Sequence, residues 1–593
     1  MQVLPGRSAV GYGAGVVDLL LGPIVRHVDR TSATVWVETD GPASIEILGH
    51  TTRTFAVAGH HYALVIIEGL APGSCTEYQV KANDQVVWPV SGTTLPPSSI
   101  RTVGDGPVRV LFGSCRTAAP HEPPYTLEMA IDPLGRGVDA LRTHALRMIG
   151  QPTDQWPDIA VMLGDQIYAD DSSPRTRERL EARRRDNPID GLSPDLVHGF
   201  EEYTWLYHES WSPEIERWFF SVVPTAMIFD DHDMIDDWNI SDTWVRDIRT
   251  QPWWVDHVVG GLSTYWIYQH LGNLSPAEIR AEGMLAALLD FDDSGAPGET
   301  FLRDWARASE EFTPVPGGYR FSFARRLGDV MLVVIDSRNG RVLDPGKRQL
   351  VDDEEWAWVV EQCSAPSRHL VIGTSLPAFV PGGIDDLQRW NERICDGAWG
   401  RLGTRAGEKV RRGLDLEDWP AFARSYAALV ALLQSVGGTQ NADAPSTISV
   451  LSGDIHFSYH SRLQFPDQMA MSSHVHQVVN SPIRNALRPF ERAAMRTVVS
   501  RVGVVVSRAL RRSTGGGPGE LRWRVDHGPV FDNCLGELTF DGDAASVRVE
   551  RATSDDDGEP RLDTAFEVDL TSDDDDVPTP VRRRRPFMRR SPV

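Results

Sequence analysis

From residue 17 to about 97 the chain runs in short stretches of alternating apolar and polar positions, such as SATVWVET (32–39) and EYQVKAND (77–84), parted by turn residues. Period-two alternation turns one face of a strand inward and the other outward, and strands repeating at this spacing predict a small β-sandwich. A Pro/Gly-rich stretch, LPPSSIRTVGDGP (95–107), reads as a linker. Beyond it come continuous apolar runs, each ending in a polar cluster. VRVLF precedes Gly113-Ser114-Cys115, DIAVML precedes Gly164-Asp165, and AMIF precedes Asp230-Asp231-His232. VMLVVI precedes Asp336-Ser337-Arg338, and STISVL precedes Ser452-Gly453-Asp454-Ile455-His456. Runs without alternation predict strands buried on both faces. Ligands of α/β sheets bind just past the carboxyl ends of such strands. Five strands are therefore expected to deliver Cys, Asp, Asp/His, Arg and Asp/His to one edge.

The remaining segments fill in around this edge. Trp36, on an alternating strand, and Tyr78, after LAPGSCT, look like the buried Trp and late Tyr of immunoglobulin- or fibronectin-type modules. SSPRTRERLEARRRDNP (172–188) predicts a charged helix, and the Trp-rich 243–270 predicts core or a pocket wall. Residues 483–512 carry eight Arg and one Glu among apolar residues. Such a basic amphipathic helix either docks on an acidic part of its own chain or lies on an acidic membrane surface. STGGGPGE (513–520) reads as a flexible link, and ELTFDG and SVRVERA are expected to complete the second sheet. The tail 571–593 is split into opposite charge blocks and is expected to be disordered.

Length and charge narrow the function classes. A chain of 593 residues exceeds one hydrophobic core. The formal net charge of −24, from 59 Lys plus Arg against 83 Asp plus Glu, argues against nucleic acid as a partner. Five scattered cysteines (Cys75, Cys115, Cys363, Cys395, Cys534) form no CxxC pair, so neither a disulfide framework nor a zinc finger is indicated. The first residues lack a basic region followed by an apolar one, and no apolar run is long enough to span a bilayer. A cytoplasmic location is the expectation.

Chemistry enters with FDDHDMIDDWN (229–239), where five Asp crowd one His and one Asn. Carboxylates so close raise one another's pKa unless a cation sits among them or water surrounds them. Asp165 and Tyr168 can leave one tight turn toward the same point, and Asp454 and His456 share a face of an extended segment. Cys with Tyr suits a hard, highly charged ion such as Fe(III), while oxygen ligands suit Ca²⁺, Mg²⁺ or Mn²⁺. Two unlike metals are expected. Asp231 is expected to need a metal, whereas Asp236 and Asp237 read as outer or solvated groups.

FGSC, PDIAVMLGDQIYAD, FDDHD, IDSR and LSGDIHFS, in this order, resemble the alkaline phosphatase D family (PhoD-like metallophosphoesterases) over roughly 105–480 and 520–570. The resemblance implies a four-layer αββα core with a dinuclear site between its sheets, and an iron and calcium pair. Carried over by motif, Cys115, Tyr168 and His456 would hold iron, Asp165 would bridge, and Asp231 and Asp454 would hold calcium. His232 would face the substrate, and Arg338 would bind its phosphate oxygens. The chain departs from the family at Asp233, where Glu is commoner. It also departs at Thr374 and Ser375, which stand where the family has a ligand-like Gln or Asn, and this leaves the calcium side one ligand short.

The expectation is thus an α/β chain, a four-layer αββα metallophosphoesterase sandwich with an N-terminal immunoglobulin/fibronectin-like β-sandwich domain. The divisions are a tail 1–16, the β-sandwich 17–97, the metallophosphoesterase domain 105–570 and a charged tail 571–593. The expected activity is hydrolysis of phosphate monoesters, diesters or both by a metal-bridging hydroxide. The cofactors would be Fe(III) and Ca(II), with Mn, Mg or Zn as other second metals. A small phosphorylated substrate is the expected partner, with weak membrane-surface contact through 483–512 as an alternative and no obligate protein partner. A binding protein that keeps the fold without turnover is the other alternative.

Overall fold

The computed structural model describes residues 17–290, 296–311, 319–515, 521–555 and 557–572. The tail 1–16, most of the charged tail 571–593 and part of the link 513–520 lie outside the described residues. Among the described residues the chain forms fifteen α-helices and five sheets, a mixed α/β architecture.

The N-terminal unit holds two four-stranded antiparallel sheets. One runs Leu19–Val28, Ser32–Thr39, His60–Glu68 and Phe55–Val57; the other runs His50–Arg53, Ser44–Ile47, Val80–Ala82 and Gln85–Trp88. They share a core in which Val35, Val37 and Val65 meet Ile45, Ile47 and Val80. Trp36 lies on the opposite face, as alternation requires. Its ring sits 5.1 Å from Tyr268 of the following unit, so it is not the sandwich's own core Trp. Every residue of Ser32–Thr39 is buried, one face by the sandwich and the other by the rest of the chain. Tyr78 likewise reaches across, its hydroxyl donating to Ser221 O at 2.9 Å. The stretch 95–107 is no free linker. Ser99–Arg101 pairs with Cys75–Glu77, and Trp218 Nε1 donates to Pro96 O at 2.9 Å.

The larger unit contains a six-stranded and a seven-stranded sheet. In the first, Thr225–Ile228, Ile159–Leu163 and Val108–Gly113 are parallel, and Cys534–Asp541, Ala544–Ser554 and Pro560–Asp569 continue antiparallel. ELTFDG and SVRVERA therefore extend the first sheet instead of completing the second. A meander can add to the open edge of Val108–Gly113 without the crossover that a parallel strand would need. The second sheet has Val330–Ile335, His369–Thr374, Thr447–Ser452 and His474–Val479 in parallel at its centre. Side chains bridge the sheets: Asn480 Nδ2 donates to Phe112 O at 3.3 Å, and His369 Nε2 donates to Gly542 O at 2.9 Å. The five motif-bearing strands thus split three and two between facing edges, not along one edge.

The charged helix is present as Pro174–Arg184, with Ser173 accepting from Thr176 N as its cap. The Trp-rich segment is core, with Trp253, Trp254 and Trp266 all buried. Residues 483–512 form two helices, Pro489–Val498 and Arg501–Ser513, because Ser500 accepts from Gly503 N and starts a new helix. The second folds back on the helix Gly382–Cys395, where Arg511 Nη1 lies 2.8 Å from Asp386 Oδ1. No helix among the described residues is long and apolar enough to cross a membrane.

Candidate metal centre

Each candidate ligand lies within five residues of a strand end. Cys115 follows Val108–Gly113, Asp165 follows Ile159–Leu163, Asp230 to Asp233 follow Thr225–Ile228, and Asp454 and His456 follow Thr447–Ser452. Four of them turn left-handed, with φ of 58° at Cys115, 51° at Asp165, 65° at Asp454 and 53° at His456. That conformation costs a non-glycine residue about 1–2 kcal/mol, and here it swings side chains off the strand axes into the gap between the sheets. Gly164 and Gly453 make room for the turns. A Cβ on Gly164 would lie 2.6 Å from Asp230 Cβ, and one on Gly453 2.1 Å from Ser114 Oγ.

The donors collect in three overlapping groups, each with its ligand atoms within 4.8 Å of one another. Cys115, Asp165 and His456 form one, Asp165, Asp231 and His232 the next, and Asp230, Asp231 and Asp454 the third. Asp165 is shared by the first two. Tyr168 joins from the side, its hydroxyl donating to Asp165 Oδ2 at 3.3 Å. A further group, His121, Asp139 and Glu216, is already neutralised: Arg116 Nη2 lies 2.9 Å from Asp139 Oδ2 and 3.0 Å from Glu216 Oε1.

The electrostatics of the three groups call for cations. Burial, then the neighbouring Asp230, Asp231 and Asp233, pushes Asp165 well above the carboxylate range, against the pull of His232. Burial with Asp230 and Asp231 does the same to Asp454. Burial with Asp165 and Asp454 pushes the Cys115 thiol far up. His456 is lowered to about 4 by burial and by His232, which keeps its imidazole neutral, as a metal ligand must be. Asp165 Oδ1 and Asp230 Oδ2 are buried without a hydrogen-bond partner. Orphaned buried carboxylate oxygens beside a thiol, a phenol and a neutral imidazole fit a metal pair with one soft-and-hard and one oxygen-rich side.

Arg338 is placed otherwise than a phosphate clamp requires. Its side chain has no exposed surface. Its guanidinium pairs with Asp230, with Asp231 Oδ1 at 3.1 Å and with Glu417 Oε2 at 2.6 Å. The IDSR motif placed the residue at the site, but the carboxylates take the side chain. Ser375 supplies no open ligand either, since its hydroxyl donates to Asp230 Oδ1 at 3.0 Å, and Thr374 Oγ1 accepts from Trp419 Nε1 at 3.2 Å.

His232 keeps one side open. Its Nδ1 is 2.8 Å from Asp170 Oδ1, its ring lies 4.8 Å from the Tyr168 ring, and its Nε2 side looks toward the exposed Asp236, 4.0 Å away. Asp237 acts through its backbone, its N donating to Asp231 Oδ2 at 3.1 Å. Asp233 stitches two motif loops together: its Oδ2 accepts from both Asp165 N and Asp230 N at 2.9 Å. Asp170 and Glu417 are the site residues that sequence reasoning missed, and the part played by Asp233, named there only as a departure from the family, was not foreseen. Asp170 stands two past Tyr168 within GDQIYAD, a signal that could have been read, whereas Glu417 in LDLEDW follows no strand and gives none.

Residues 16–100 match a family described as a domain of unknown function, DUF7800. No curated protein matches the chain. A maltogenic amylase from S. marinus aligns at 10% identity over 91% of this chain and 80% of that one, but a TM-score of 0.17 carries no argument. A solved structure of PhoD aligns at 12% identity over 93% of this chain and 91% of that one, with a TM-score of 0.50. At that distance the likeness is one of fold, and the chain has a PhoD-like fold.

Proposed function

We propose that the chain is a metal-dependent phosphoesterase acting on phosphate monoesters, diesters or both. Its two large sheets would be the inner layers of an αββα sandwich spanning 105–570, with 17–97 as the attached β-sandwich. The observation that carries this reading is the chain of donor groups from Cys115 through Asp165 to Asp454, each within 4.8 Å of its neighbours. Cys115, Tyr168 and His456 would hold one ion, for which Fe(III) fits. Asp231 and Asp454 would hold a second, for which Ca(II) fits, and Asp165 would touch both. A bound pair supplies charge neutralisation at phosphoryl oxygens and acidification of water.

The remaining work falls to side chains. His232, its Nδ1 fixed by Asp170, holds a proton at Nε2 for the leaving oxygen. Arg338 keeps Asp230 and Asp231 ionised and aligned, a positioning role. Asp233 fixes the relative height of the two loops.

The test joins metal analysis of the purified protein to a panel of aryl and alkyl phosphate esters. Bound metal, turnover, and a His232→Ala defect larger for alkyl than for nitrophenyl esters are expected, because a nitrophenolate leaves without a proton. Metal-free protein that hydrolyses nothing on the panel with Fe, Ca, Mn, Mg or Zn added would end the proposal.

A further inference from the structure

The helix Arg501–Ser513 is turned the wrong way round for a surface helix. An amphipathic helix ordinarily buries its apolar stripe against the core. Here Ser507 is buried, and Arg511 is spent on Asp385 and Asp386. Val502, Val505 and Val506 are 71%, 67% and 54% exposed. With the exposed Ala509 they make one stripe along the outer face. Helical spacing sets Arg501, Arg508 and Arg512 along one edge of that stripe. Among the described residues Arg501 and Arg512 have no ion pair, and Arg508 reaches Asp386 only at 3.8 Å. A second observation lies beneath the same helix. Arg508, Arg512 and Arg522 share the wall of a cavity of about 830 Å³ with Val430, Leu521 and Trp523, and Asp385 and Asp386 on that wall are neutralised by Arg389 and Arg511. Cations beside apolar side chains suit an anionic group carried on a hydrocarbon.

We infer that this face docks on an anionic lipid bilayer. The valine stripe enters the boundary between headgroups and acyl chains, and the arginine edge meets the lipid phosphates. A nucleic-acid backbone would satisfy the arginines but leave the valines in water. A second copy across a two-fold axis would bring six of these arginines together. The chain's overall charge of −24 repels such a bilayer, so the helix must face it while the acidic remainder points away. The inference does not depend on the phosphoesterase reading.

The full chain is sedimented with vesicles of phosphatidylcholine alone or with about a third phosphatidylglycerol, at low and high salt. It should pellet with the anionic vesicles only, and salt should release it. The double substitution Val505→Asp/Val506→Asp should weaken partitioning about tenfold or more. Each of Arg501→Gln, Arg508→Gln and Arg512→Gln should weaken it about fivefold. All these positions are solvent-facing, so thermal midpoints should not move, which separates lost docking from lost folding. Equal pelleting of wild type and the valine variant, or no pelleting with anionic vesicles, would overturn the inference. So would a valine variant that turns a dimer into a monomer, which would give the stripe to a second copy.

Discussion

His60 joins the two units through a buried charge relay, and its titration should be measurable as stability. Its Nδ1 lies 2.9 Å from Glu38 Oε1 and its Nε2 2.9 Å from Glu201 Oε2. Glu38 also takes His208 Nε2 at 2.7 Å and the Tyr268 hydroxyl at 2.9 Å. Burial pulls His60 down, but the bonds to Glu201 and Glu38 outweigh it and lift the pKa from 6.5 to about 9. At about 1.36 kcal/mol per unit, that gap links protonation to about 3 kcal/mol of stability. The side chain is only 14% exposed, so solvent screening takes little from this figure. A raised pKa gives stability that is fully present below pH 6.5 and lost as pH rises through about 9. Glu201, held at about 2 by the His60 hydrogen bond against its own burial, expresses the same pair at the acid end and is not added again. The assay is denaturant unfolding of wild type and His60→Gln from pH 6 to 10, read as the difference between the two curves. That difference should be largest near pH 6 and shrink by about 3 kcal/mol toward pH 10. A difference that stays flat with pH would refute the relay as a charged one.

Other expectations are more local. Asp165→Asn should strip bound metal and lower turnover by orders of magnitude, while Asp236→Asn, 63% exposed at its side chain, should do far less; metal content and kcat/KM measure both. Arg338→Ala should leave Asp230 and Asp231 without their cation, while Glu417 keeps Arg341 at 3.0 Å, and cost about 3–5 kcal/mol in unfolding, with weaker metal retention as a second readout. Trp36→Ala should cost about 3–5 kcal/mol by emptying the contact with Tyr62 and Tyr268. Its near-ultraviolet dichroism should change even where secondary structure does not.

The parts legible in the sequence were those in which one strand determines one position. Cys115, Asp165, Asp231 and Asp454 each follow an uninterrupted apolar run, and that adjacency survives folding. What a side chain points at was harder to read. Arg338 stands at its strand end as the pattern says, yet its guanidinium turns toward Glu417, which no periodic signal ties to the site. Trp36 was misassigned because alternation says which residues share a face but not which face looks at the sandwich core. The helix break at Ser500 carried an ordinary capping signal, masked by the Arg periodicity on both sides of it. The antiparallel meander at the C-terminus was placed on the wrong sheet because strand propensity says nothing about which open edge a strand will join.

The left-handed turns at Cys115, Asp165, Asp454 and His456 bear on how this protein would respond to selection. Each holds roughly 1 kcal/mol or more of backbone strain that a glycine, or an asparagine at Asp165, would release. Replacing Asp165 would also relieve the repulsion among four buried carboxylates when no cation is bound. The shortest mutational routes to a more heat-resistant chain therefore run through the candidate ligands themselves. A library screened for thermostability alone should drift toward Gly and Asn at these positions, and one screened for metal retention should refuse them.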